Sequence, residues 1–170
     1  MFTLRGRLAC GSVALVLGAV LLAAGQPVGW LFVGQVALLA YGYARYGPVA
    51  LAFQAYHRQD WARLAALLGE VRRPEWLRPQ DRAYFEFLRG VLAMCHGDVG
   101  SARRHLAAAD AARLRTDHIR CVLECHRADA ALAAGERAAA AAHLAAARAI
   151  PHRPEVEPEI ARLELAVATG

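Results

Sequence analysis

The sequence predicts an all-α protein in which an apolar helical hairpin precedes a short stack of helix pairs. Two observations carry this prediction. From Leu8 to Ala44 the chain runs 37 residues without Asp, Glu, Lys or Arg, whereas the remainder is rich in alanine and in charge of both signs. Within that remainder a pattern recurs every 38 residues, and a fixed period of this size marks stacked supersecondary units. The expected division is an anchor over 1–47 and a helical repeat domain over 48–170.

The apolar block divides at Gly25-Gln26-Pro27 into runs of about 8–24 and 28–46. A bilayer core of about 30 Å needs roughly 20 apolar residues per helix, so the block predicts two transmembrane helices joined by a tight turn, where Gly and Pro supply the break. Trp30 and Phe32 stand toward one end of the second run, and Tyr41, Tyr43 and Tyr46 toward the other, the distribution of an interfacial aromatic belt. Arg5 and Arg7 flank the start, Arg45, Arg58 and Arg63 follow the end, and the turn is uncharged. By the positive-inside rule both termini and the repeats then face the cytoplasm of a cell inner (plasma) membrane. Small residues at Ala14 and Gly18 suit close helix packing. A cleavable leader ending at Ala23-Ala24-Gly25 is the competing reading, and it leaves the second run in the membrane.

The 38-residue offset aligns Arg82, Glu86 and Arg89 with Arg120, Glu124 and Arg127, and Gly97-Asp98 with Gly135-Glu136. It also aligns Ala102, His105, Leu106 and Ala109 with Ala140, His143, Leu144 and Ala147, with a fainter copy at Gln59-Asp60, Leu64 and Leu68. Each unit reads as two helices. In the middle one Tyr84, Leu88, Val91 and Cys95 recur at helical spacing, the chain turns at Gly97-Asp98, and Ala102, Leu106 and Ala109 form the facing stripe. Gly97 suits a left-handed helix end, and Asp98 or Ser101 suits the next N-cap. Asp60, Asp117 and Glu136 mark other starts, and Pro79, Pro151 and Pro158 mark boundaries.

These small and large positions, with Gly90, Gly97-Asp98, Gly135-Glu136 and Pro151, resemble the tetratricopeptide repeat family (TPR) over about Pro48 to Pro151, with a capping helix near Val156 to Ala168. The sequence departs from that family in its period, which is about 34 residues there, and in placing Glu86, Glu124, Arg89 and Arg127 where the family favours aromatic residues and leucine. The resemblance implies a short α-solenoid that binds a peptide or helix along the concave face of its first helices, a face that would include Phe87, Val91, Met94, Cys125 and Asp129.

The stripe Arg82, Arg89, Arg120 and Arg127 around Glu86 and Glu124 has two readings. One is a solvated face with intrahelical ion pairs of about 0.2–0.5 kcal/mol each. The other is a guanidinium ladder that clamps an acidic peptide or helix. His118, Cys121 and Cys125 share a helical face, but Cys95 lies too far along the stack to complete a tetrahedral zinc site, so buried thiols are the expectation and no metal or cofactor is assigned. His105 and His143 read as packing residues, Trp61 and Trp76 as residues packed between helices or closing a loop, and Arg72 to Pro79 as a packed linker. No phosphate-binding glycine loop, nucleophile elbow or two-histidine zinc helix occurs, so no enzymatic activity is expected.

All 20 basic residues are arginine, against 15 acidic ones, and from Arg45 onward the excess is 18 minus 15, or +3. Interspersed signs and so small an excess exclude a nucleic-acid surface. Four cysteines without a pairing pattern fit a reducing compartment. The function expected is that of a membrane-tethered adaptor or assembly subunit that holds a protein partner, with self-association open. The alternative is a small accessory subunit of a larger integral membrane complex, with the hairpin as its main contact.

Overall fold

The computed structural model describes the backbone of residues 4–46 and 48–169; in the first unit, side chains are described for 12–14, 16–38, 41 and 42. The side chains of Arg5, Arg7, Cys10, Tyr43, Arg45 and Tyr46, on which parts of the topology and belt expectations fall, lie outside the described residues. The chain divides into two compact units, Met1–Gly47 and Pro48–Gly170. All regular structure among the described residues is helical.

In the first unit, α1 (Leu4–Ala23) and α2 (Gly29–Tyr46) pack as a hairpin. Gly25 ends α1 at φ 74°, and the N–H groups of Gly25 and Gln26 return to the carbonyls of Leu22 and Leu21 at 3.0 and 2.9 Å. Glycine is needed again where the helices touch: a Cβ on Gly29 would lie 2.6 Å from both the Gly18 carbonyl oxygen and Leu22 Cγ. Backbone approaches this close require small residues. The outward faces bury little, for Val13, Val16, Val20, Trp30, Leu31, Leu38 and Tyr41 are each more than half exposed. Among the described residues no helix is long and apolar enough to cross a membrane.

The second unit contains three successive helix pairs and a last helix. The pairs are α3 (Val49–His57) with α4 (Trp61–Gly69), α5 (Pro79–Cys95) with α6 (Val99–Ala108), and α7 (Asp117–Ala133) with α8 (Arg137–Ala149); α9 (Glu157–Thr169) packs on α7 and α8. The first helices also contact one another, α3 with α5, α5 with α7 and α7 with α9. Single 3-10 turns at Pro74–Trp76, Ala111–Arg113 and Pro154–Val156 precede α5, α7 and α9.

The 38-residue alignment is an alignment of burial. Ala52, Gly90 and Ala128 are buried on the first helices, and Leu68, Leu106 and Leu144 are buried on the second. At Gly90 the fit leaves no room, since a Cβ there would lie 2.5 Å from Leu106 Cγ and 3.2 Å from the Leu106 amide nitrogen. The turn is repeated as closely. Gly97 and Gly135 sit at φ 73° and 76°, and Gln59 takes the same place at φ 55°. After each, the next N–H reaches back to a carbonyl five residues earlier: Asp60 to Ala55 at 3.0 Å, Asp98 to Ala93 at 3.0 Å and Glu136 to Ala131 at 2.9 Å. These are Schellman ends, which satisfy helix carbonyls otherwise left without donors. Asp60 and Asp98 then cap the following helix by accepting the Arg63 and Ser101 amides at 3.1 and 2.9 Å. Glu136 makes no such bond.

Replacing Gly90 by valine should destabilise the unit by about 1–3 kcal/mol, the usual cost of overpacking, whereas Gly100→Ala, whose Cβ would lie no nearer than 3.7 Å to Asp98, should leave stability equal or slightly higher. Urea melts of the two variants measure the difference. Gln59→Gly should stabilise by about 1 kcal/mol, because an L side chain in the left-handed region costs that much, and Gly135→Ala should lose a similar amount in the same assay.

Candidate functional site

The first helices frame a cleft of about 500 Å³. Tyr56 and His57 come from α3, with Gln59 and Trp61 from the turn and start of α4; Val91, Met94 and Cys95 come from α5, and His126 and Asp129 from α7. Aromatic rings build its wall. Tyr56 meets Trp61 at 6.3 Å between centroids, inclined 66°, and Phe87 at 5.7 Å, inclined 79°. His126 stands 5.7 Å from the Phe87 ring and its Nε2 is 3.4 Å from the Tyr56 hydroxyl. Such edge-on contacts favour the ring quadrupoles and hold Tyr56 at the centre of the wall.

Burial pushes the Tyr56 phenol up to about 12, aided by Cys95, Cys125 and Glu159. Burial also pushes His126 below the ordinary imidazole value, against the opposing charges of Asp129 and Glu159. Asp129, about one-third exposed, accepts Arg162 Nη2 at 3.0 Å through Oδ1. Arg162 is held at the same time by both oxygens of Glu159 at 2.7 and 2.9 Å.

The structure sorts the residues singled out by sequence. Met94 and Asp129 line the cleft and Val91, 2% exposed, forms its floor. Phe87 is fully buried and Cys125 3% exposed, so both are core rather than contact residues. Phe87 is sealed by the Tyr56 and His126 rings, and Cys125 packs in a cluster with Cys121, Leu144, Ile160 and Leu163.

The arginine stripe does not form one ladder. Arg82 and Arg89 are exposed, and the Arg89 guanidinium lies 6.0 Å from the Phe85 ring centroid. Arg127, its repeat counterpart, donates instead to the Leu106 carbonyl at 3.1 and 2.9 Å, to the Ala109 carbonyl at 2.8 Å and to Glu124 at 2.6 Å. It caps the end of α6, where cations are favoured. Arg120 donates to Asp117 at 2.7 Å and to the Leu114 carbonyl at 3.2 Å, with its Nε buried and unpartnered among the described residues. Arg120 and Arg127 are thus held by their own chain, because connecting segments leave carbonyls within their reach. Of the expected intrahelical pairs around Glu124, the one to Arg127 is formed, while Arg120 turns to Asp117.

His105 and His143 bind the two repeated glutamates. Their Nδ1 atoms lie 2.7 Å from Glu86 Oε2 and 2.8 Å from Glu124 Oε2. Each pair joins the first helix of a unit to its second, and Glu124 is 8% exposed. A buried carboxylate demands such partners.

Cys95 is exposed, while Cys121 and Cys125 are buried and free. Burial pushes the Cys125 thiol up to about 12 and raises Cys121 as well, so neither is a ready nucleophile. Among the described residues no group of three or more His, Cys, Asp or Glu is placed to hold a metal ion. Trp61 and Trp76 differ from the packed role expected: Trp61 is 36% exposed at the cleft, and Trp76 is 51% exposed with the Arg73 guanidinium 4.5 Å above its ring. A second hollow, of about 640 Å³, lies between α6, α7 and α8; there Arg103 pairs with Glu136 at 2.7 Å and Arg127 with Glu124.

Sequence reasoning missed Tyr56, His57, Gln59, Trp61, Cys95 and His126 as cleft residues. A signal existed for Gln59, the one turn position of the three aligned that is not glycine. For Tyr56 and His126 none did, since they meet across 70 residues of chain.

These features define an all-α protein with tandem helix pairs and a concave aromatic cleft. In comparison with known proteins, no family model matches the chain, and neither do curated proteins or solved structures.

Arg127→Gln should cost about 1.5–3 kcal/mol of stability, the range for charge-assisted hydrogen bonds lost from a partly buried site, whereas Arg89→Gln should change it by no more than about 0.5 kcal/mol. Chemical denaturation of the two variants tests this asymmetry.

Proposed function

We propose that the protein is a membrane-tethered adaptor or assembly subunit, with the hairpin of 1–47 seated in the bilayer and the TPR-like helix pairs of 48–170 holding a protein partner. The observation that carries this reading is the outward apolar surface of the hairpin, with Val13, Val16, Val20, Leu31 and Leu38 more than half exposed. Contiguous apolar surface of that kind marks a membrane or protein contact. The tether therefore rests on the hairpin's surface and not on the length of either helix alone. The arginines that flank the apolar runs in the sequence support an orientation with both termini on the cytoplasmic side of an inner (plasma) membrane.

The concave cleft supports the binding half of the proposal. Its lining mixes aromatic side chains with Gln59 and Asp129, as recognition surfaces do, and its setting on the first helices is the one the tetratricopeptide resemblance implies. Holding the partner at a membrane raises its local concentration, so a modest affinity suffices for assembly.

The intact chain should remain with the membrane fraction after an alkaline carbonate wash and be released only by detergent, and affinity capture from the detergent extract should recover a partner. A chain beginning at Pro48 should lose the membrane and keep that partner. Capture that instead follows residues 1–47 alone supports the accessory-subunit reading, and an intact chain freely soluble without detergent overturns the tether.

A further inference from the structure

The cleft's chemistry specifies more than protein binding. Four of its residues carry aromatic rings, Tyr56, His57, Trp61 and His126, and its one carboxylate is Asp129; no arginine lines it. Aromatic faces attract organic cations through the ring quadrupole, and guanidinium groups stack on flat rings and bind carboxylates through paired hydrogen bonds. The protein shows guanidinium–carboxylate contacts beside the cleft itself, for Arg162 donates a pair of hydrogen bonds to Glu159 at 2.9 and 2.7 Å and a single one to Asp129 Oδ1 at 3.0 Å. Asp129 and Glu159 face this single guanidinium, so the group keeps one net negative charge beside the aromatic wall. Oδ2 of Asp129 accepts no hydrogen bond among the described residues.

The turn supplies a further sign. Gln59 holds a left-handed conformation where the two aligned turns use glycine, and its side chain stands at the cleft. Strain retained beside a cleft points to use of that side chain; here it is an amide able to bond a peptide backbone.

We propose that the cleft docks a peptide segment of a partner protein by an arginine side chain, which stacks on the Tyr56–Trp61 wall and donates to the free oxygen of Asp129, with Gln59 at the rim holding the peptide backbone. This rests on the adaptor reading and names the partner's chemistry as cationic, the opposite of the acidic peptide suggested by the arginine stripe. Arginine is favoured over a compact ammonium because the wall offers flat faces inclined to one another rather than a closed cage.

The test titrates the full chain, in detergent, with a fluorescein-labelled Gly-Ser-Arg-Gly-Ser amide and with the same peptide bearing citrulline or glutamate in place of arginine, read by fluorescence anisotropy. Saturable binding of the arginine probe is expected, with citrulline and glutamate each about tenfold weaker or worse, the loss of one charge-assisted contact. Trp61→Leu and Asp129→Asn should each weaken the arginine probe by about tenfold, with helicity by circular dichroism unchanged. Should Asp129→Asn disturb the fold through its pair with Arg162, Trp61→Leu decides alone. Equal binding of all three probes, no saturation by the arginine probe at millimolar concentration, or a Trp61→Leu variant that binds as the parent does would overturn the proposal. Partner capture that persists in that event leaves the adaptor reading standing, so the two fail separately.

Discussion

The second unit depends on how closely the two helices of each pair approach. Ala52, Gly90 and Ala128 are buried on the first helices and Leu68, Leu106 and Leu144 on the second, and at Gly90, which meets Leu106, a single added carbon has nowhere to go. Because the large residue of one helix fills the space left by the small residue of the other, each pair locks at one register. The turn must then reverse the chain within a few residues, which the left-handed residue and its returning N–H achieve three times at Gln59, Gly97 and Gly135. Pairs of fixed geometry bring successive first helices side by side, and the cleft follows from that alignment.

Within this frame the polar residues divide by the distance over which they act. Asp60 and Asp98 cap their own helices. The Glu86–His105 and Glu124–His143 contacts tie first helix to second within a unit. Arg127 ties one unit to the one before it through the Leu106 carbonyl of α6 and the Ala109 carbonyl just after it, and Arg162 joins α9 to α7 through Asp129. Several of the charged side chains in these helices therefore hold one helix to another, and the cleft is lined by four aromatic residues and a single carboxylate.

The division between what the sequence disclosed and what it did not follows the same distances. Turns, caps and small-against-large stripes are written within a few residues, so the starts at Pro79 and Asp117 and the Gly97-Asp98 and Gly135-Glu136 turns are legible from spacing, and the last helix, expected near Val156 to Ala168, is found at Glu157–Thr169. The fate of Arg127 was not, because its acceptors are backbone carbonyls 18 and 21 residues away whose availability depends on where α6 stops. The family resemblance implies a groove position for Phe87, whereas Tyr56 and His126, which cover its ring, come from the units on either side. Identical letters at aligned positions also hid different roles, as Arg89 beside Phe85 and Arg127 on a helix end show.

The two apolar cores share one helix. Ile119, Leu123 and Ala130 of α7 belong to the first, and Cys121, Cys125 and Ala128 to the second, which α9 closes from outside with Ile160 and Leu163. Local opening of α9 away from α7 and α8 would bare two sulfur atoms while the larger core stays shut. The thiols of Cys121 and Cys125 would thus serve as an internal clock, since the rate at which an alkylating reagent finds them would time that opening.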